Sequence, residues 1–480
     1  MADTQTPSAA QNDGVQEYLQ IPPELLWQPY VPNSSDPWDA VKVAHLYRRT
    51  SFGASYAEMQ AGLSLDPDTL ARQIVNASRD GGDEAVIAFE RDAREMTTMA
   101  LDSGNPRELQ AVWLYRMLHS PQPLLERMTL FWHNHFATSN AKVRSLRLMQ
   151  RQQDSLRRHA LGSFDDLLQK MTFDPAMILW LDGNTNQKGK PNENYAREIF
   201  ELFSLGVGNY TEADIQEAAR ALTGWSVDKD EAVFQSALHD NGSKTVLGET
   251  GRWTAGDVVR IALAQAACPK FIVRKLFREL ISDSLEPADE MIAPLVDEFR
   301  QRNYDIAWLV GRMVRSWMFY SPLAIGQKIK SPVDFLVGSV KSLEGTTSLV
   351  QMAEACQTLG QNLYFPPSVK GWDGGYLWLN STTLLQRQNM AFAITSNTPS
   401  IAPERLTEKY NVEGDEATAK FFLDLFLQQH DADILAEMTR YLQEERLKLK
   451  TTFQSDSARE AQLARKAAHL AMTMPEYQLS

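Results

Sequence analysis

The run Phe131-Trp132-His133-Asn134-His135-Phe136 places two histidines one residue apart. On a strand, residues i and i+2 face the same way and could share a metal ion. On a helix they point about 200° apart. Leu124, Leu125, Met128, Phe131, Trp132, His135 and Phe136 recur at helical spacing and make one apolar stripe. His135 lies in that stripe and is the inward-facing candidate, whereas His133 lies on the other side, beside Glu126. The two therefore do not chelate one ion from a regular helix. A core histidine satisfied by one hydrogen bond explains His135 as simply as catalysis does. The letters His-Asn-His match a nuclease class by name only, because that nuclease needs a ββα-metal unit and this context is helical.

A second constellation runs over 191–203. Asn194, Glu198 and Glu201 follow i, i+4, i+7 spacing on one stripe, with Arg197 at its flank. Two carboxylates a turn apart can bind a divalent cation, or divide into acid and base where their environments differ. A solvated face with an Arg–Glu pair is the plainer alternative. In 239–245, His239, Asp240 and Lys244 could take a metal, a phosphate or a sugar, or Asp240-Asn241-Gly242 could simply turn the chain. Around Lys370-Gly371-Trp372-Asp373 the glycines permit close backbone approach, and an exposed Trp372 would suit stacking on a sugar ring. A packed loop anchored by Trp372 fits equally well. Arg48 or Arg49 could hold an anion, against an ordinary surface pair, and Arg387 completes the polar set. The catalytic candidates are thus His135, Glu198, Glu201, His239 and Asp240. The substrate-binding candidates are Arg48, Asn194, Arg197, Lys244, Lys370, Trp372, Asp373 and Arg387. The inventory suits acid–base chemistry on a polar substrate, or metal-assisted chemistry with a divalent ion.

Familiar alternatives are missing. The sequence has no Gly-x-x-x-x-Gly-Lys-Ser/Thr, no dinucleotide Gly-x-Gly-x-x-Gly after a strand, no His-Glu-x-x-His and no Gly-x-Ser-x-Gly. These absences count against nucleotide-driven motors, dehydrogenases, zincins and α/β-hydrolases.

The elements that must position these residues read as helices. Patterning predicts a mainly α, multi-helix protein with irregular loops and well under a fifth strand. Helices are expected over 108–119, 124–137, 192–205 and onward from Thr211, where Asp214 stands in a capping-box position. Gly206 is a C′ glycine. Residues 228–256 read as a loop or short hairpin, 257–318 as helices, and 359–375 as a long loop with a task. Three regions follow: a proline-rich tail over 1–40, a helical core over 41–400, and a C-terminal helical bundle over 401–480 packed on it. The tail reads as flexible to about residue 20 and pinned beyond it by Leu25, Leu26, Trp27 and Trp38.

Composition agrees with a large globular chain: 480 residues, 43% hydrophobic. The net charge of −13 argues against nonspecific nucleic-acid binding while leaving room for a local basic patch. Cys268 and Cys356, far apart, read as buried free thiols. No secretory signal and no membrane span is visible, so the chain reads as cytoplasmic as written.

The blocks 45–53, 126–139, 191–208, 210–225, 239–248, 330–335, 366–378 and 381–387, with the closing Met474-Pro475-Glu476-Tyr477-Gln478, come in an order that resembles the domain-of-unknown-function 1800 family of bacterial proteins. The resemblance spans about residues 41–480. It implies a gene often placed beside one of the domain-of-unknown-function 1501 family, whose members look like sulfatase or alkaline-phosphatase relatives. It also implies export for many members, which would put the protein in the periplasm. Two readings result. One is an enzyme, marked by a convergent polar site. The other is a noncatalytic accessory subunit of a sulfatase-like partner, marked by a large exposed apolar patch.

Overall fold

The computed structural model describes residues 21–480 except 399, 428 and 454. It is 64% helical, as the patterning predicts. Strand among the described residues is confined to two small antiparallel hairpins, Trp225–Asp228 with Glu231–Phe234 and Lys244–Val246 with Glu249–Gly251. The expected flexible segment up to about residue 20 lies outside the described residues. Beyond it, Leu26 and Trp27 are buried and Trp27 Nε1 donates to Met291 O at 2.7 Å, while Leu25 points outward, 54% exposed.

Prolines mark helix starts. Pro67, Pro106, Pro123, Pro175, Pro332 and Pro403 each stand in the first turn, where a missing N–H costs nothing. The expected capping box of Thr211 with Asp214 is present. Ser331 with Asp334 forms another, opening the helix Pro332–Ser342.

The helix Pro123–His135 stands between two apolar cores. Leu124, Met128 and Trp132 face one, built with the helices Phe164–Thr172, Glu212–Ala221 and Ala255–Ala264. Leu130 faces the other, which includes Trp113, Phe335 and the C-terminal helices Asp415–Phe426 and Asp456–Thr473. A helix walled in on both sides must bury its polar residues too, which sets up the chemistry described next.

The run expected as one helix over 192–205 is two pieces. An α-helix covers Asn194–Glu198 and a π-helical turn covers Ile199–Ser204. Leu205 N–H and Gly206 N–H both reach back to Phe200 O, at 2.8 and 3.0 Å, and Ser204 Oγ donates to Ile199 O at 2.6 Å. Gly206 has φ +81°, the left-handed stop expected of it. The wide turn breaks the 3.6-residue register between Glu198 and Glu201. Such turns recur at functional sites.

Candidate functional site

Three polar blocks meet at the end of the Pro123–His135 helix. Asn134 accepts a hydrogen bond from Trp372 N–H at 2.7 Å through Oδ1 and donates from Nδ2 to Trp372 O at 3.3 Å. One side-chain amide thus pairs with both backbone groups of a single loop residue. Gly371 makes the approach feasible. Its φ is +81°, and a Cβ there would overlap Asn134 Oδ1 and lie 2.5 Å from Asn134 O. Trp372 itself is buried, with its ring 5.7 Å from that of His133. The structure therefore supports the packed-loop alternative for Trp372, in place of an exposed stacking ring.

The clamped loop carries Lys370 to the neighbourhood of Glu198. Glu198 is half-buried and makes no hydrogen bond or ion pair among the described residues. Burial, then the charge of Glu201, push its carboxyl above the usual carboxylate range, against the opposing pull of Arg197 and Lys370. Lys370 is exposed, and its ammonium has no partner among the described residues. Glu201 is oriented by Tyr210, whose hydroxyl donates to it at 2.7 Å. Arg197 turns away to a two-point pair with Glu212, at 2.6 and 3.2 Å. Asn194 donates weakly to Leu181 O. Asp373 is exposed on the same loop.

Both histidines of the first block are buried, on different sides of their helix, as helical spacing requires. His133 sits among the rings of Trp113, Tyr364 and Trp372 with Nε2 unpartnered, and burial pushes it down to about 3. His135 faces Phe136, Phe164, Phe203 and Phe271, and its Nε2–H donates to Phe203 O at 3.0 Å. Burial, then the charge of Lys275, hold it well below its ordinary value and hence neutral. The acceptor is a carbonyl of the π turn. His135 therefore fixes the turn that carries Glu201, which is a positioning role.

The other candidates have their polar atoms committed elsewhere. His239 Nδ1–H donates to Thr223 O at 2.9 Å. Asp240 pairs with Arg220 at 2.8 Å and accepts from Gly242 N–H, and Arg220 pulls it down to about 2. Lys244, almost fully buried, donates to the carbonyls of Asp240, Gly242 and Trp253. These three residues hold the turn that precedes the second hairpin. Among the described residues none of them makes a hydrogen bond or ion pair with Glu198. The link is the helix Glu212–Ala221, with Arg197 paired at one end and Asp240 at the other.

Arg48 and Arg387 are not surface groups. Both are buried. Arg48 donates to Phe426 O and Leu427 O, and Arg387 to Lys330 O at 2.7 Å and Gln478 Oε1 at 3.2 Å. Arg49 donates to Ala324 O at 2.8 Å and Ser480 Oγ at 2.9 Å. Arg127 crosses from the Pro123–His135 helix to Asp334, at 2.5 Å, and to Arg48 O, at 2.7 Å. Together these side chains fasten the C-terminal segment, with Lys330 Nζ 3.5 Å from the centre of the Tyr477 ring.

One charged network has no counterpart among the sequence candidates. Glu126, fully buried, accepts from Arg116 Nε at 2.8 Å and from Arg157 Nε and Nη2 at 2.9 and 3.2 Å. The two guanidinium groups hold its carboxyl below the usual range despite burial. Arg116 also reaches Glu90, and Arg157 reaches Asp154 at 3.1 Å. The signal was present: Glu126-Arg127 interrupts a segment apolar on both faces, so both charges had to be buried and paired.

Among the described residues, no group of three or more His, Cys, Asp or Glu side chains is placed to hold a metal ion. The divalent-metal alternative therefore has no ligand set there. Both cysteines are buried and free. No helix among the described residues is long and apolar enough to cross a membrane. A family model described as "Protein of unknown function (DUF1800)" matches residues 45–479. No curated protein and no solved structure matches the chain. With nearly its whole length matched, the chain belongs to the DUF1800 family.

Proposed function

We propose that this member of the family is an acid–base catalyst acting on a polar substrate such as a glycan or a modified side chain. Glu198 is the proton-transfer group, Glu201 the companion carboxylate and Lys370 the substrate-facing cation. The observation that carries the reading is the state of Glu198: half-buried, unpaired, with its carboxyl raised by burial and by Glu201. A carboxyl taken partly out of water without a partner is costly, and such groups concentrate where a proton must be moved. The π turn, the His135 tether and the Asn134 clamp hold the two carboxylates and Lys370 in place. In use, protonated Glu198 would donate to a leaving oxygen, and its carboxylate would then take a proton from water.

The test is Glu198→Gln, assayed for release of reducing ends from a panel of bacterial polysaccharides, peptidoglycan fragments and nitrophenyl glycosides. Turnover in the unaltered protein, lost in the variant with thermal stability unchanged, is expected. Equal rates in both proteins on every substrate turned over, or no turnover on any, would count against Glu198.

A second observation favours the accessory-subunit reading. Tyr376, Leu377, Leu385 and Phe392 are 81%, 68%, 57% and 51% exposed within one short segment, with Leu384 at 39%. Exposed large apolar side chains concentrated this way suit a protein partner, here the sulfatase-like neighbour of the domain-of-unknown-function 1501 family. Co-expression with that neighbour and size-exclusion chromatography test it. A complex that Leu377→Ser and Leu385→Ser abolish is expected, and separate elution refutes it.

A further inference from the structure

A cavity lies away from Glu198, over the Glu126 network. It has a volume of about 1170 Å³ and is walled by the helices Glu84–Ser103, Pro106–His119 and Leu146–His159. Six guanidinium groups line it against three carboxylates. Glu126 beneath Arg116 and Arg157 and Asp92 beside Arg91 offset part of this, and a small local positive excess remains in a chain of net charge −13. Arg79, Arg94 and Arg158 are exposed on its walls, and their guanidinium groups make no hydrogen bond or ion pair among the described residues. Deeper in, Arg116 is only 6% exposed. Its Nε and Nη2 are taken by Glu126 and Glu90, while Nη1 has no partner among the described residues.

We propose that this cavity binds an acidic oligosaccharide, its carboxylate or sulfate groups received by Arg79, Arg94, Arg158 and the free edge of Arg116. Planar guanidinium forks match such oxyanions in two-point contacts. The volume exceeds that of a typical small-molecule pocket, roughly 300–1000 Å³, and leaves room for a ligand several units long. The lining also carries Asp154, Glu90 and Glu95, with the amides of Gln122 and Gln150. Carboxylates among the arginines accept hydrogen bonds from hydroxyls, which a sugar acid supplies beside each anionic group, and they repel a dense polyphosphate. Single-stranded nucleic acid is bound on aromatic platforms. The apolar part of this lining is aliphatic, Val86, Ile87, Leu125 and Leu161, with no aromatic ring among the lining residues. The buried clamp of Glu126 keeps Arg116 and Arg157 in fixed orientation before any ligand arrives, which lowers the cost of ordering them.

Titration calorimetry of the full chain at low salt tests this. The probes are a galacturonic-acid hexamer, a heparin-derived sulfated hexamer, a neutral glucose hexamer, hexaglutamate and a thymidine hexanucleotide. Binding of the uronate or the sulfated hexamer is expected, and which of the two binds more tightly identifies the anionic group. The neutral hexamer should bind at least about tenfold more weakly, and the double variant Arg94→Gln, Arg158→Gln should lose at least about tenfold in affinity, a change of about 1.4 kcal/mol. Both arginines are unpaired and exposed, so the variant should keep its thermal midpoint. Glu198→Gln should leave this binding unchanged, which separates it from the catalytic reading. No binding of either acidic sugar, equal binding of the neutral one, tighter binding of hexaglutamate or the oligonucleotide, or an unaffected double variant would each overturn the assignment.

Discussion

Gly371→Ala probes the joint that holds Lys370 in place. The backbone at Gly371 is left-handed, φ +81°, which costs a residue with a Cβ about 1–2 kcal/mol. The new methyl would also overlap Asn134 Oδ1 and come within 2.5 Å of Asn134 O. It can be accommodated only if the loop lifts off, and both Asn134–Trp372 hydrogen bonds then go. At about 1 kcal/mol each, the total loss is roughly 3 kcal/mol. Asn134→Ala removes the same two bonds without forcing the loop, a loss of roughly 2 kcal/mol. The bonds can be lost only once, so the double variant should fall by roughly 3 kcal/mol, well short of the roughly 5 that independent sites would give. Urea denaturation supplies the three values from shifts in midpoint at constant slope, and hydrogen exchange at the Trp372 amide reads the clamp directly. A Gly371→Ala loss under about 0.5 kcal/mol, the range of an inert surface change, or strict additivity in the double variant, refutes the clamp.

Two further outcomes follow from the buried charges. Glu126→Ala leaves Arg116 and Arg157 without their shared counter-ion and should cost about 3–5 kcal/mol in urea denaturation; a loss below about 1 kcal/mol would mean that the two guanidinium groups are solvated through the cavity above them. His133, pushed down to about 3 by burial, stays neutral in the folded protein while the unfolded ring takes a proton near 6.5. Its contribution is complete above pH 6.5 and is lost as the pH falls from there towards 3, by up to about 1.4 kcal/mol per pH unit. Stability of His133→Phe should fall less steeply over that window by about one proton, and an unchanged slope in a pH series of denaturation curves would show that the ring is protonated in place.

What the sequence made legible is local. The separation of His133 from His135 needs only 100° per residue, and the stop at Gly206 and the Thr211 capping box need only neighbours within a turn. The contacts that assemble the candidate site and its scaffold are remote: Asn134 meets Trp372 across 238 residues and Arg127 meets Asp334 across 207. No local pattern announces them, and no pattern announces the π turn, which depends on where the carbonyl of Phe203 finds His135. Residue type alone also cannot separate scaffold from site. Arg48, Arg387, Lys244 and Asp240 look as chemical in the sequence as Glu198 and Lys370 do. Most of their donors and acceptors are committed to backbone carbonyls, amides and one another, although Arg48 Nη1 and Arg387 Nε stay buried without a partner. The useful criterion is the uncommitted valence. By it, Glu198, Lys370 and Asp373 qualify within the signature blocks, as do the buried ring nitrogens of His45, and Arg79, Arg94 and Arg158 qualify beyond them, where the surrounding exposed helices carry no motif to draw attention.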